Sequence, residues 1–90
     1  MSVTVSIPSA FRRHTEGVEK LDCVAGDLSS LLDALGNRFP ELKPHLRDEQ
    51  GQVRRFLNIY VNDEDIRFLG KDYTFKEGDE VTLVPSIAGG

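Results

Sequence analysis

The chain begins in strict alternation. Val3, Val5 and Ile7 share one side, Ser2, Thr4 and Ser6 the other, and Pro8 stops the run. Period-two alternation predicts a half-buried strand over Ser2–Ile7. Ala10–Gly17 is polar, basic at its centre (Arg12, Arg13, His14), and closes on glycine, so a turn is expected there. A second strand follows over Val18–Val24, with Leu21 and Cys23 on one face, completing an N-terminal hairpin. The period then changes. Leu28, Leu31, Leu32 and Leu35 recur three and four apart behind Asp27, a good N-cap residue, and this predicts a helix. Gly36 or Asn37 is suited to close it in a left-handed conformation, Phe39 extends the apolar stripe, and Pro40 bars further turns.

Beyond the helix, Leu42 and Leu46 fit a short helical turn around Pro44, and Asp48–Gln52 has loop composition. Phe56–Asn62 is apolar on both faces, as in a central strand. Asn62–Asp65 reads as a tight turn with a solvated acidic tip, Ile66–Phe68 as a short return strand, and Leu69–Phe75 as a loop with Tyr73 and Phe75 tucked beneath it. Glu77-Gly78-Asp79 is a turn and Glu80–Val84 the last strand. Pro85 has no N–H to give to a ladder and is expected to end the pairing. The order is β-β-α-β-β-β. One helix of about three turns is stable only when its leucine face is covered. With four or five strands beside it, it buries that face by crossing one side of a mixed sheet. The predicted class is therefore α+β, the ubiquitin-like β-grasp: a mixed four- to five-stranded sheet with one main helix on one face. It occupies 1–85 and is followed by a flexible tail, 86–90. The first and last strands are expected side by side and parallel in the centre, sending the tail off one end of the sheet.

Composition narrows the function classes. Ninety residues make one domain, and 39% hydrophobic with 29% charged positions is ordinary for a soluble globular chain. The net charge of −4 disfavours nucleic acid, which is bound by clustered Lys and Arg. Arg12-Arg13 and Arg54-Arg55 are expected to be solvated pairs, too sparse for such a role. Cys23 is the single cysteine, which rules out an intrachain disulfide and suggests no cysteine metal site; a small buried hydrophobe is its expected role. His14 and His45 lie in polar stretches with no third ligand spaced to select them, and both are expected at the surface. No metal site, nucleophile–base pair or phosphate loop is visible, so no intrinsic catalysis is expected. No apolar run has the form of a signal peptide or approaches the roughly 18 residues of a spanning helix, and a cytoplasmic protein with no membrane partner is expected.

The ending carries the candidate chemistry. Ser86-Ile87-Ala88-Gly89-Gly90 would reach roughly 17 Å if extended. A terminal carboxyl, with a pKa of about 3.3–3.7, is ionised at neutral pH and must be activated by another protein before it acylates anything. Two glycines let a backbone enter a narrow channel and leave the carbonyl carbon open to attack. A frayed glycine end is the other reading of this stretch alone. Phe68 and Ile87 fit either of two roles, exposed contacts near the tail's exit or, for Phe68, a core side chain. The sheet face opposite the helix is the natural docking surface.

Three stretches, taken with the strand order, are shared with a known family: VTVSIP at Val3–Pro8, FLNIYVNDEDIRF at Phe56–Phe68, and the run from Gly78-Asp79 through Val81 to Ala88-Gly89-Gly90. The chain resembles the MoaD/ThiS family of ubiquitin-like sulfur carriers, above all its CysO type, the sulfide carrier of a cysteine-forming route. The resemblance implies a protein substrate, not an enzyme. It implies that Gly90 is adenylated and then converted to a thiocarboxylate, with Gly89, Ala88 and Ile87 recognised as the tail and Phe68 available for docking. The carrier itself would bind no cofactor. ATP would be used by a partner, an adenylating and sulfurtransferase enzyme of the ubiquitin-activating type. In the CysO-like branch a pyridoxal-phosphate (PLP)-dependent cysteine synthase takes the sulfur and a JAMM-type metalloprotease trims the product. Related branches send sulfur to molybdopterin or to the thiazole of thiamine, and ubiquitin-like modification of lysines is a further alternative.

Overall fold

The computed structural model describes residues 1–70 and 72–86. In chain order the elements are β1 (Ser2–Ser6), β2 (Lys20–Val24), α1 (Leu28–Arg38), α2 (Lys43–Leu46), β3 (Leu57–Val61), β4 (Glu64–Asp65), α3 (Ile66–Leu69) and β5 (Glu80–Pro85). Short 3-10 turns cover Ser9–His14 and Pro40–Leu42. The five strands form one sheet in the order β2-β1-β5-β3-β4. β1 and β5 are parallel, with Val5 beside Val81, and the other neighbours are antiparallel. This is the expected β-grasp, with the first and last strands adjacent.

The alternation along each strand decides which side is covered. Val3, Val5, Leu21, Cys23, Leu57, Ile59, Val61, Val81 and Leu83 are buried. Leu31, Leu32 and Leu35 of α1 are buried as well, in the same cluster. The helix starts where Asp27 accepts from Ser30 N–H (2.9 Å) while Ser30 Oγ accepts from Asp27 N–H (3.2 Å), a reciprocal cap that holds two otherwise unpaired amides. The bond from Ser30 N–H, with a second from the Ser30 hydroxyl (2.9 Å), keeps the Asp27 carboxyl below its ordinary pKa. Phe39, Leu42 and Leu46 close the core at the far end of the helix.

Several expectations are corrected. Ser9–His14 is a 3-10 helix that buries Phe11, not an open turn. Helix α1 runs through Gly36 and Asn37 to Arg38 and stops at Phe39 with φ −127°, so no left-handed cap forms; Pro40 starts the next turn instead. Gly36 serves close approach, since a Cβ there would meet Lys43 Cγ at 2.7 Å. The link from β3 to β4 is the two-residue turn Asn62-Asp63, both at positive φ (51° and 70°), the geometry that matches strand twist in tight hairpins. The return strand is therefore Glu64–Asp65, and Ile66–Leu69 is a helical turn, α3, rather than a strand. Asp65 is buried, accepts from Arg67 N–H and pairs with the Arg67 guanidinium at 2.7 Å, so it is not a solvated tip. β3 is buried on one face only, with Asn58 and Tyr60 half-buried on the other; the central strand is β5.

Replacing Leu35, which is fully buried, with Ala should lower the free energy of unfolding by about 2–5 kcal/mol. Urea denaturation checks this as a lower midpoint at an unchanged slope.

Candidate functional site

The root of the tail is the part of the structure that the sequence assigns to chemistry. Ile87, Ala88, Gly89 and Gly90, the predicted reactive and recognition residues, lie outside the described residues. What the structure places is their point of departure. β5 has β1 on one side and β3 on the other, and its pairing with β3 runs through Leu57↔Pro85. Ser86 N–H then donates to the Phe56 carbonyl at 2.5 Å. Pro85 thus stays in the ladder, contrary to expectation. In antiparallel pairing bonded and non-bonded pairs alternate. Ser86–Phe56 is a bonded pair, so Pro85 falls at a non-bonded one, with its amide position turned towards β1. The β1 pairing has already ended at Ser6↔Thr82, and no donor is needed there.

The other end of β5 is fixed by Asp79, which is only 6% exposed and therefore has to have its carboxylate satisfied by the protein. Its Oδ1 accepts from Asn62 Nδ2 (2.9 Å); its Oδ2 accepts from the Tyr73 hydroxyl (2.8 Å) and Lys76 N–H (2.9 Å). The Asp79 carbonyl accepts from Thr4 N–H (2.9 Å), which ties the cluster to β1. Asn62 also brackets Glu80, its N–H donating to the Glu80 carbonyl (2.8 Å) and its Oδ1 accepting from Glu80 N–H (2.9 Å). Burial pushes the Asp79 carboxyl up, but the bonds from Lys76, Asn62 and Tyr73 outweigh it and hold the pKa below the ordinary value. Its bond to Asp79, then burial, raises the pKa of Tyr73. Sequence reasoning missed this hub. Asn62 and Asp79 both read as turn residues, and only pairing of β3 with β5 brings them together.

Around the tail root the sheet face away from α1 carries exposed apolar side chains. Phe56 and Val84 are each 38% exposed, and Phe68 is 81% exposed, which settles its position in favour of the surface. β4 and β5 are both antiparallel to β3 and so run the same way. α3 follows β4, and its Phe68 comes directly after a strand that runs in the direction of the tail end. Val24, 81% exposed, lies at the opposite edge on β2 and is not part of this group.

Other candidates fall elsewhere. Cys23 is buried, and burial raises its thiol pKa, so it packs as a hydrophobe. His14 and His45 are brought together unexpectedly, with ring centroids 4.4 Å apart and Phe11 5.6 Å from His45. Burial, followed by the charges of His14, Arg13 and Arg54, lowers the pKa of His45. Arg12 and Arg54 are not simply solvated, for each donates Nε to a carbonyl, of Ile7 (3.2 Å) and Pro44 (2.9 Å) respectively. Among the described residues no group of three or more His, Cys, Asp or Glu converges as metal ligands, and no helix is long and apolar enough to cross a membrane.

Asp79→Asn should cost about 1–3 kcal/mol at neutral pH, because it leaves donors from Tyr73, Asn62 or Lys76 poorly matched. With its folded pKa lowered, Asp79 contributes stability above the unfolded value of about 3.9, and this is lost as pH falls through the folded value. Thermal unfolding against pH should accordingly show a shallower acid decline for the variant than for the parent.

The ThiS family model matches residues 5–90. The sulfur carrier protein CysO of Mycobacterium tuberculosis is 41% identical over 93 aligned positions, covering 100% of both chains. The crystal structure of that organism's CysO superposes with a TM-score of 0.84 at 38% identity, covering 94% of this chain and 99% of that one. The crystal structure of the Amycolatopsis orientalis BexX/CysO complex contains a chain with a TM-score of 0.86 at 39% identity, covering 98% and 99%. A parallel β1–β5 centre, an exposed apolar group beside the tail root and this full-length likeness agree: the chain belongs to the ThiS/MoaD family of ubiquitin-like sulfur carriers and is CysO-like.

Proposed function

We propose that this protein is a sulfur carrier acting as a substrate of partner enzymes, with Gly90 as the residue that is charged. The observation that carries the reading is the family match running to Gly90, on a fold whose last strand is bonded as far as Ser86. In the proposed cycle a partner of the ubiquitin-activating type binds ATP, and the Gly90 carboxylate attacks its α-phosphorus. An acyl-adenylate forms and pyrophosphate leaves. Sulfide from a donor then displaces AMP, so that one carboxylate oxygen departs with the nucleotide and sulfur takes its place. The thiocarboxylate is a soft nucleophile carried on a protein surface rather than released as free sulfide.

The acceptor we favour is an activated serine derivative held by a PLP-dependent cysteine synthase, with a JAMM-type metalloprotease releasing cysteine; the likeness to CysO supports this over pterin or thiazole. The lone buried Cys23 is compatible with work in the cytoplasm, where thiols stay reduced.

The body supports this role through docking. Ordering a tail costs about 1–2 kcal/mol per residue in backbone entropy, and contacts made by the body must offset it. Phe56 and Val84 offer an apolar contact beside the place where the tail begins, and Phe68 on α3 is a further exposed aromatic side chain. A large side chain in such a contact that contributes about 1.4 kcal/mol changes affinity about tenfold.

Incubation with ATP, a sulfide donor and the cognate activating enzyme should add the mass difference between sulfur and oxygen at the C-terminus, read by intact-mass spectrometry. Deleting Gly90 should abolish the gain; sulfur loading that persists in the deletion would sink the proposal, and an isopeptide adduct on lysine in its place would favour a protein modifier. Phe68→Asp should raise the KM of the activating enzyme for the carrier by about tenfold with a small change in kcat. An unchanged KM would remove Phe68 from the docking surface.

A further inference from the structure

The partner edge of β3 is only half used. β4 pairs with it at Tyr60↔Asp65 and Val61↔Glu64, and the chain then leaves the sheet as α3. Alternate residues of a strand direct their backbone groups to opposite neighbours. The bonds Ser86 N–H to Phe56 carbonyl and Asn62 N–H to Glu80 carbonyl show that the even-numbered residues of β3 face β5. Leu57, Ile59 and Val61 therefore face outward. Val61 is matched by Glu64, and Leu57 N–H donates to the Arg54 carbonyl at 3.0 Å. Among the described residues, the Leu57 carbonyl and the Ile59 N–H have no strand residue opposite them. A carbonyl and an N–H on either side of one residue, here Asn58, are the pair that a parallel strand engages with a single residue of its own.

A groove of about 550 Å³ occupies the place of the missing strand. Leu57, Ile59, Ile66 and Tyr73 line it, and Arg55 and Arg67 stand at its rim. Both arginines are exposed. Arg54 also contributes, so three guanidinium groups meet one carboxylate, that of Asp65, which is already bonded to Arg67. In a chain of net charge −4 this is a local inversion of sign. Edge groups with no strand opposite, an apolar floor and a cationic rim fit an extended peptide with alternating apolar and acidic side chains. One set enters the groove while the other reaches the arginines.

We propose that this groove receives an extended acidic segment of a partner protein, added to the sheet as a strand parallel to β3 at Leu57–Ile59. The surface is separate from the apolar group at Phe56, Val84 and Phe68, and it does not depend on the sulfur-carrier reading.

The test titrates the isotopically labelled protein with the capped hexapeptide Glu-Val-Glu-Val-Glu-Val and follows amide shifts and hydrogen exchange by NMR. The expected result is a shift and slowed exchange at the Ile59 amide, with smaller shifts along Gln52–Arg55 and at Gly70. Arg55→Glu should weaken binding by about tenfold without altering the rest of the spectrum. The same peptide N-methylated at alternate residues keeps its charge but loses strand donors, and it should fail to protect Ile59. Absence of binding, shifts confined to the open sheet face or β2, equal binding of the N-methylated peptide, or equal shifts with free glutamate would each overturn the proposal. The last outcome would identify a simple anion pocket. No arm of the experiment reads sulfur loading, so a negative result leaves the carrier function where it stood.

Discussion

The pairing of β5 on both of its sides is the constraint from which the rest follows. A strand with neighbours on both edges and with its inner side chains, Val81 and Leu83, buried can open only when the sheet itself opens. The parallel bond to β1 needs a long crossover, and the chain between the two strands supplies it with the hairpin, the helix and β3–β4. The last strand thus completes the sheet, and at its tail end it is still held by β3 as far as Ser86 after the β1 pairing has ended at Thr82. For a protein whose proposed work is to present one end of its chain to several enzymes, a rigid origin reduces the freedom that each docking event has to remove.

The polar hub at Asp79 acts at the opposite end of the same strand. A buried carboxylate is costly unless its lone pairs are taken up. Here a side-chain amide, a phenol and a backbone N–H take them up, and the three donors come from the β3–β4 turn and the loop before β5. The hub therefore sets the register of β5 against β3 where hydrophobic contacts alone would tolerate a slip. It is coupled to the left-handed Asn62-Asp63 turn, because the Asn62 side chain that binds Asp79 also receives the Glu80 N–H.

The two sides of the sheet do different work. One is sealed by α1 and the segment from Phe39 to Leu46. The other stays open, with mainly polar side chains and the exposed Val24 over β1 and β2, and with Phe56 and Val84 at the tail end. The short β4 adds a third surface, since its early exit from the sheet leaves a cationic groove along β3. A small domain with one helix layer can in this way offer separate contacts at its face, at its edge and at its end.

Much of this was legible in the residues. The alternation of Val3, Val5 and Ile7 and the leucine spacing after Asp27 depend on local periodicity, and both elements formed, although the helix ends later than read. The Gly89-Gly90 ending and the stretch Asn58–Phe68 carried the family likeness, because chemistry at a chain end and a tight hairpin are written in contiguous residues. Other features were decided only by tertiary contact. Ile66–Phe68 had strand composition, but Asp65, buried and bonded to Arg67, caps a helical turn there instead. Pro85 looked like a stop, yet the alternation of bonded and non-bonded pairs left it a position that needs no N–H. Gly36 looked like a cap, yet the helix runs through it to Arg38, with the Lys43 side chain lying close against it. His14 and His45, and likewise Asn62 and Asp79, were far apart in sequence and met only in the tertiary structure, the first pair by packing of two helical turns and the second by pairing of β3 with β5. Sequence by itself determined the periodic elements and the family likeness. Which residues met across the sheet was set by the register of strands distant in the chain, and no local pattern encodes that register.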